Sequence, residues 1–521
     1  MRNSLFIFLI GLLISLSSCR NDFEFEPSKG GLTFSKDTVY LDTVFTNIGS
    51  STYRLKVYNK SDSDISIPKI ELGKGSASKY RMMIDGLTGE DGTDTGTIGD
   101  GKIFNDVQLL AKDSMFIFIE VTADVASANP TDFLYTDQIN FIHGNGEVQK
   151  VELVTLIQDA IFIYPSILTD GTKEKIFLNG IETELEGHEL SGDLLNWTNE
   201  KPYVVYGFAT VPNGSILNVE QGTNVHFHAN SGLIIDKLGT LNIQGELSDY
   251  DAEGLITVDR EVRFEGDRLE PIFEDVPSQW FGIINFSSNN NSIEYLTLKN
   301  ATVGIFNVPL DIDDPYASKL DISNSQIYNC SNVGILSRGA EVTGNNLAIN
   351  NCGQASLACT YGGTYNFTHC TINNNWGSNS NALVLNDYLE TDTTLYINNP
   401  INNFNFTNCI IYGTNQNELF IERKGEHPFD YNFINCLIRI NNTNNNTFYP
   451  PTNITNYSSC KIATNSSLFN PKYKDANLNQ FNILEDSGAI NGGLSLGING
   501  NDILGNPRST SIDIGAYQFV P

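Results

Sequence analysis

Positive charge is what this chain is shortest of. Across 521 residues, Lys and Arg number 31 against 61 Asp and Glu, for a net charge of -30. A field of that sign repels phosphate backbones and anionic surfaces, which excludes nucleic acid as a partner. Segments with helical apolar spacing are few, whereas Gly, at 44, and Asn are abundant, so the chain reads as all-β. Beyond Leu5 to Leu16 no stretch is long and apolar enough to cross a bilayer, and that run is itself too short. Histidine is scarce, at 6. His226 and His228 share one strand face but no third ligand accompanies them, and Glu426-His427 is a single pair, so neither a metal site nor a cofactor is expected. Eight cysteines are present, and seven remain once Cys19 is set apart, an odd number that excludes a fully paired disulfide framework.

What the chain does have is repetition. An eight-residue phrase occurs at Tyr365 to Ile372, Phe404 to Ile411 and Tyr431 to Ile438: aromatic, Asn, Phe, two variable residues, Cys, one variable residue, Ile. Relaxed to apolar positions, its sixth residue recurs at 296, 325, 347, 370, 409, 436 and 460. Earlier, Leu217/Val219, Val225/Phe227, Leu233/Ile235 and Leu241/Ile243 step by eight between Gly and Asn turns. Three such steps make one coil, and stacked coils place like residues on like. This periodicity predicts a parallel β-helix from 207 to 465, with Cys370, Cys409, Cys436 and Cys460 as an interior column of free thiols. Asn373 to Asn403 is then an insertion, where a rod of this kind would carry specificity.

The start of the chain reads as an address. Arg2, the apolar run and Leu16-Ser17-Ser18-Cys19 resemble a bacterial lipobox, which implies a signal peptide over 1–18 and a diacylglycerol on Cys19. The acid-rich Arg20 to Glu26, within a tether at 19–28, resembles the export tags of surface lipoproteins of the Bacteroidetes group. The resemblance implies a lipid-anchored outer-membrane protein, exposed at the surface if the tag is read, with the membrane as a partner through Cys19.

Strand-like segments such as Thr38 to Phe45 and Tyr53 to Tyr58 then fill residues 29–160 and resemble an immunoglobulin-like sandwich. Its loop with Glu90, Asp91, Asp94 and Asp100 fits no EF-hand spacing and reads as solvated acids. Residues 161–206 lack the repeat and read as a connector and N-terminal cap, needed because a bare sheet edge invites pairing.

Val211 to Gly245 and Gln279 to Ile283 resemble coils of right-handed β-helix proteins of the pectin-lyase-like class. Residues 466–521 read as last coils and a C-terminal cap. Their Asp502, Arg508, Asp513, Gly515 and Tyr517 resemble the terminal motif of the "choice-of-anchor Q" family, with the carboxylates expected to accept backbone N–H groups and the Arg508 fork. That class contains lyases, hydrolases and inert adhesins, so fold decides no reaction. Between Glu341 and Cys460 only Arg423, Lys424 and Arg439 oppose eight carboxylates, too little to hold a polyanion. The candidate carboxylates for catalysis or calcium are Asp311, Asp313 and Asp314, with Asp321 nearby, in a loop whose simpler reading is solvated acid. Two classes remain: a non-catalytic glycan-binding, adhesion or scaffold protein whose partner is a polysaccharide or another surface protein, and a polysaccharide lyase or glycoside hydrolase with a lateral groove.

Overall fold

The computed structural model describes residues 24–90, 99–129, 133–251, 255–311, 317–392, 395–497, 500–508 and 511–521. The protein is all-β: among these residues there is no α-helix, only short 3-10 turns between strands. The chain divides into two compact units between Asp159 and Ala160.

The first unit has a 6-stranded and a 4-stranded sheet. Its strands read apolar-in, polar-out, as in Tyr53–Tyr58, where Leu55 and Val57 are fully buried. Most pairs are antiparallel, but Thr38–Phe45 runs parallel to Val148–Gln158. Each fully buried aliphatic side chain here contributes about 1.5–3 kcal/mol. Glu90 and Asp100 of the acidic loop are exposed, and Asp91 and Asp94 lie outside the described residues.

The second unit is built on parallel pairing. An 11-stranded sheet runs from Ile161–Ile163 to Lys461–Ala463, and an 18-stranded sheet runs beside it in sequence. Each turn of chain lays one strand in the first and two successive stretches in the second, so Leu217 pairs with Leu241, 24 residues on. In-register stacking makes continuous inward columns, such as Leu233, Ile283, Ile305, Ile335, Leu357, Leu383 and Leu419. Phe367, Phe406 and Phe433 form another, with ring centroids 4.8 and 5.7 Å apart.

The repeated phrase marks the passage from the 18-stranded to the 11-stranded sheet. There the backbone turns through one left-handed residue, at φ 52° in His369, 55° in Asn408 and 50° in Asn435. Asn tolerates that conformation better than most residues, which is why the phrase carries it. The following cysteines point inward: Cys370 N–H donates to Cys409 Sγ at 3.4 Å and Cys409 N–H to Cys436 Sγ at 3.5 Å. Cys370, Cys409 and Cys436 are buried, Cys460 is partly so, and all are free thiols.

Two boundaries differ from the sequence reading. Parallel pairing begins at Ile161–Ile163, which pairs with Tyr203–Val205, so much of 161–206 already belongs to the ladder that spacing places from 207. Its strands are separated by a long hairpin, Lys175–Leu178 with Ile181–Glu189, which erases the eight-residue step. At the other end, residues 466–521 are not further coils. Their described residues add no strand to either long sheet and lie along the outer face of the 11-stranded one as a strap. Ile483, Ala489 and Ile514 cover Ile410, Tyr412, Leu437 and Ala463, while Phe481, Ile503, Ala516 and Tyr517 cover Tyr328 and Ala348. Those strands are apolar outward as well as inward, and the strap removes that second face from water.

Candidate functional site

The strap is held by polar groups as well as by burial. Asn435 Nδ2 donates to Gly492 O at 3.1 Å, Leu494 N to Asn408 Oδ1 at 2.7 Å, and Ala516 N to Thr371 Oγ1 at 3.0 Å. Gly515 has φ +99°, and a Cβ there would stand 2.6 Å from Ile410 Cδ1, so only glycine lets the strap lie this close. Asp502 accepts from the N–H groups of Leu504, Asn506 and Gln518 at 2.9, 2.7 and 2.8 Å, and Asp513 from those of Asn491 and Phe519 at 2.8 and 2.7 Å. The Arg508 fork does not join these carboxylates, contrary to the sequence reading. Backbone donors already hold both oxygens of each carboxylate, and Arg508 donates instead to Gly515 O at 2.9 Å and Asn346 Oδ1 at 3.2 Å.

The strap's Tyr517 hydroxyl reaches Gln326 Oε1 at 3.3 Å. Beyond that point the strands Asn224–Phe227, Val262–Gly266 and Leu296–Lys299 turn charged side chains outward. Strict alternation causes this: Val262, Phe264, Leu296 and Leu298 are buried, so Arg263, Glu265, Thr297 and Lys299 face the other way. Pairing then sets His226 beside Glu265, and Arg263 beside Thr297, which is followed by Gln326.

This floor is a connected polar network. Lys299 Nζ lies 3.1 Å from Glu265 and 3.8 Å from Glu274. Arg263 pairs with Asp259. Thr297 Oγ1 donates to Glu261 at 3.1 Å, and Tyr328 donates to Gln326 Oε1 at 2.7 Å. Burial pushes the Glu261 carboxyl above its usual range against the nearby Arg263 charge. His226 is buried, which lowers its pKa and favours the neutral ring, with Nδ1 3.2 Å from Gly266 O. His228 is exposed, pairs with Asp267 at 2.7 Å and stacks on Tyr206 at 4.4 Å. Tyr250, 46% exposed, stands on the hairpin that precedes Glu261.

Fixed donors and acceptors of both signs, half withdrawn from water and edged by tyrosine, suit a ligand rich in hydroxyl groups. The histidine pair is thus brought to this floor, one ring buried and one hydrogen-bonded to Asp267. Of the other sequence candidates, Asp311 is exposed and Asp321 faces outward between Ser292 and Thr343 on the 18-stranded sheet, while Asp313 and Asp314 lie outside the described residues. Glu426 and His427 are exposed. Sequence reading missed Arg263, Glu265 and Lys299, although Val262-Arg263-Phe264-Glu265 and Leu296-Thr297-Leu298-Lys299 carry the alternation that reveals them. Among the described residues no group of three or more His, Cys, Asp or Glu is placed to hold a metal ion, and no helix is long and apolar enough to cross a membrane.

No family model matches the chain, and no curated protein does. Among solved structures, the Agl-KA catalytic domain is similar over 74% of this chain and 77% of its own, at 12% identity and a TM-score of 0.27. The periplasmic chaperone SfaE is similar over 25% of this chain and 58% of its own, at 18% identity and a TM-score of 0.16. A PapD-like domain of human CEP192 is similar over 27% and 96%, at 11% identity and a TM-score of 0.15. At such scores these likenesses carry no argument about fold or function.

Proposed function

We propose that this is a lipid-anchored outer-membrane protein in which an immunoglobulin-like sandwich precedes a right-handed parallel β-helix, and that the β-helix binds a neutral glycan on the floor around Arg263, Glu265 and Lys299. In-register parallel pairing with one strand per turn in the 11-stranded sheet supports the β-helix. Two facing sheets of alternating strands support the sandwich. The observation that carries the function is the half-buried network of mixed charge beyond the strap. Asp259, Glu261, Glu265, Asp267 and Glu274 outnumber Arg263 and Lys299 there, so an acidic polysaccharide is disfavoured and a neutral one favoured.

The test uses the chain from residue 20 onward, electrophoresed through gels containing neutral or acidic polysaccharides. Retardation by a neutral glycan is expected, weakened about tenfold by Lys299→Met or Arg263→Gln, the size of one lost charged hydrogen bond. Retardation only by acidic glycans, or retention unaffected by both substitutions, sinks the assignment. A second reading, glycoside hydrolysis, is favoured by one observation: Glu261 is pushed toward its protonated form while Asp259 beside it is paired with Arg263. New reducing ends that vanish in Glu261→Gln while binding persists would select it.

The anchor is tested separately. Cells fed an alkyne-tagged fatty acid are expected to label the full-length protein, and Cys19→Ser is expected to abolish the label. Equal labelling of both excludes lipid on Cys19.

A further inference from the structure

In one turn of chain the 18-stranded sheet is served by a single long strand, Ala355–Thr368. In the next, the same two stretches are Asn381–Asn386 and Ile401–Thr407, and between them stands an antiparallel hairpin, Tyr388–Asp392 with Leu395–Asn398. The hairpin adds no strand to either long sheet, so the ladder does not require it.

What it builds is a cage. The Tyr388 and Tyr396 rings stand at 83° with centroids 5.1 Å apart. Tyr388 donates its hydroxyl hydrogen to Glu422 Oε2 at 2.6 Å, which fixes the carboxylate as a third wall. Inside sits an ammonium, Lys424 Nζ, 5.7 and 5.5 Å from the two ring centroids and 2.7 Å from Glu422 Oε1. Two aromatic faces at right angles and a carboxylate are the elements that attract an organic cation.

The cage is organised independently of the group it holds. Asp387 is fully buried and accepts from the N–H groups of Lys424 and Gly425 at 2.8 and 2.9 Å, so the backbone under the lysine is pinned without its side chain. The Tyr388–Glu422 bond likewise uses no atom of the lysine. The side chains of Lys424 and Glu422 are 36% and 34% exposed, so both charged groups can be reached from solvent. Each charge favours the other: the hydrogen bond between them lowers the carboxyl pKa of Glu422 and raises that of the Lys424 ammonium.

We propose that Tyr388, Tyr396 and Glu422 form a binding site for a substituted-ammonium group on a ligand, and that the Lys424 ammonium is its resident occupant, displaced when the ligand binds. A choline-type headgroup and an amino sugar share this chemistry. The site uses none of the residues of the glycan-binding floor, so each stands or falls without the other.

The test is a titration of the chain from residue 20 onward with tetramethylammonium chloride, followed by the tyrosine ring resonances, with sodium chloride at equal ionic strength as blank. Lys424→Met empties the cage and is expected to bind at least tenfold more tightly than the unsubstituted protein. Lys424→Gln is titrated alongside, so that a folding defect in one leaves the other as the test. Adding Tyr396→Ala or Glu422→Gln to either is expected to abolish saturation. Absence of saturable binding in a folded Lys424 variant overturns the proposal, as does binding that survives Tyr396→Ala, and equal affinity with and without Lys424 overturns its role as occupant. Phosphocholine and glucosamine are run beside the simple salt, and the tighter of the two assigns the ligand to the headgroup or to the amino sugar.

Discussion

Gly282→Ala is expected to unfold the second unit or to lower its melting temperature by roughly 10 °C, corresponding to a loss of about 4 kcal/mol or more. Gly282 has φ +131°, a conformation that side chains rarely adopt, and a Cβ there would stand 1.6 Å from Val303 O. The oxygen cannot retreat, because Val303 belongs to the next strand of the ladder, Val303–Asn307. Nor can Gly282 move easily. Two residues earlier Trp280 is buried, stacked on Phe227 at 4.1 Å and 6°, with its indole N–H donating to Lys299 O at 2.9 Å. Gly214→Ala is the control: φ there is +79°, but nothing lies within 4 Å of the added carbon, so only the backbone cost of about 1 kcal/mol applies. Melting temperatures of the two variants that agree to within about 2 °C would refute the steric argument.

The second expectation concerns pH. Glu418 is fully buried at the start of Leu419–Glu422, and burial pushes its carboxyl up to about 7 from 4.5. Asn415 N–H donates to it at 2.6 Å, Ala382 N–H at 3.0 Å, and the Arg439 charge is near, yet burial outweighs all three. Below pH 4.5 the group is protonated whether the protein is folded or not, and it costs nothing. Between 4.5 and 7 the unfolded chain releases the proton while the folded one keeps it, so stability falls with rising pH by about 1.4 kcal/mol per unit. The total is about 3 kcal/mol by pH 8. Glu418→Gln cannot ionise and leaves one backbone N–H facing an amide, so it is expected to be the less stable protein at pH 5 by about 1–3 kcal/mol. The difference between the two should then shrink or reverse by pH 8. Denaturation curves at both pH values measure it, and a constant difference excludes titration of Glu418 over this range.

Much of the second unit is legible from spacing alone, because each turn of chain repeats its demands. Phe367, Phe406 and Phe433 occupy equivalent places, and His369 takes the left-handed position held elsewhere by Asn346, Asn408 and Asn435. Features made by residues that meet once are not legible in this way. The strap pairs Arg508 with Asn346 and Tyr517 with Gln326, contacts that span 162 and 191 residues and leave no period. The floor unites Arg263, Glu265 and Lys299 from strands separated by the segment that carries Trp280, so their charges read as scattered surface residues until parallel pairing aligns them. Glu418 looks like any carboxylate in a polar loop, since its burial is decided by Gly413, Ala382 and Arg439 around it.

The strap also changes how the molecule can come apart. A stack in which each rung touches only its neighbours can fray from an end, one rung at a time, at the cost of a single interface. Here Lys461, in the last strand of the 11-stranded sheet, holds Gly488 O at 2.7 Å, while the same strap is bonded to Asn408, Thr371, Asn346 and Gln326 far up the ladder. Peeling away the last rung therefore loosens contacts several rungs distant, and a linear array acquires the all-or-none behaviour of a closed one. The strap follows those rungs in the sequence, so that lock is set only after the rungs it joins have been synthesised.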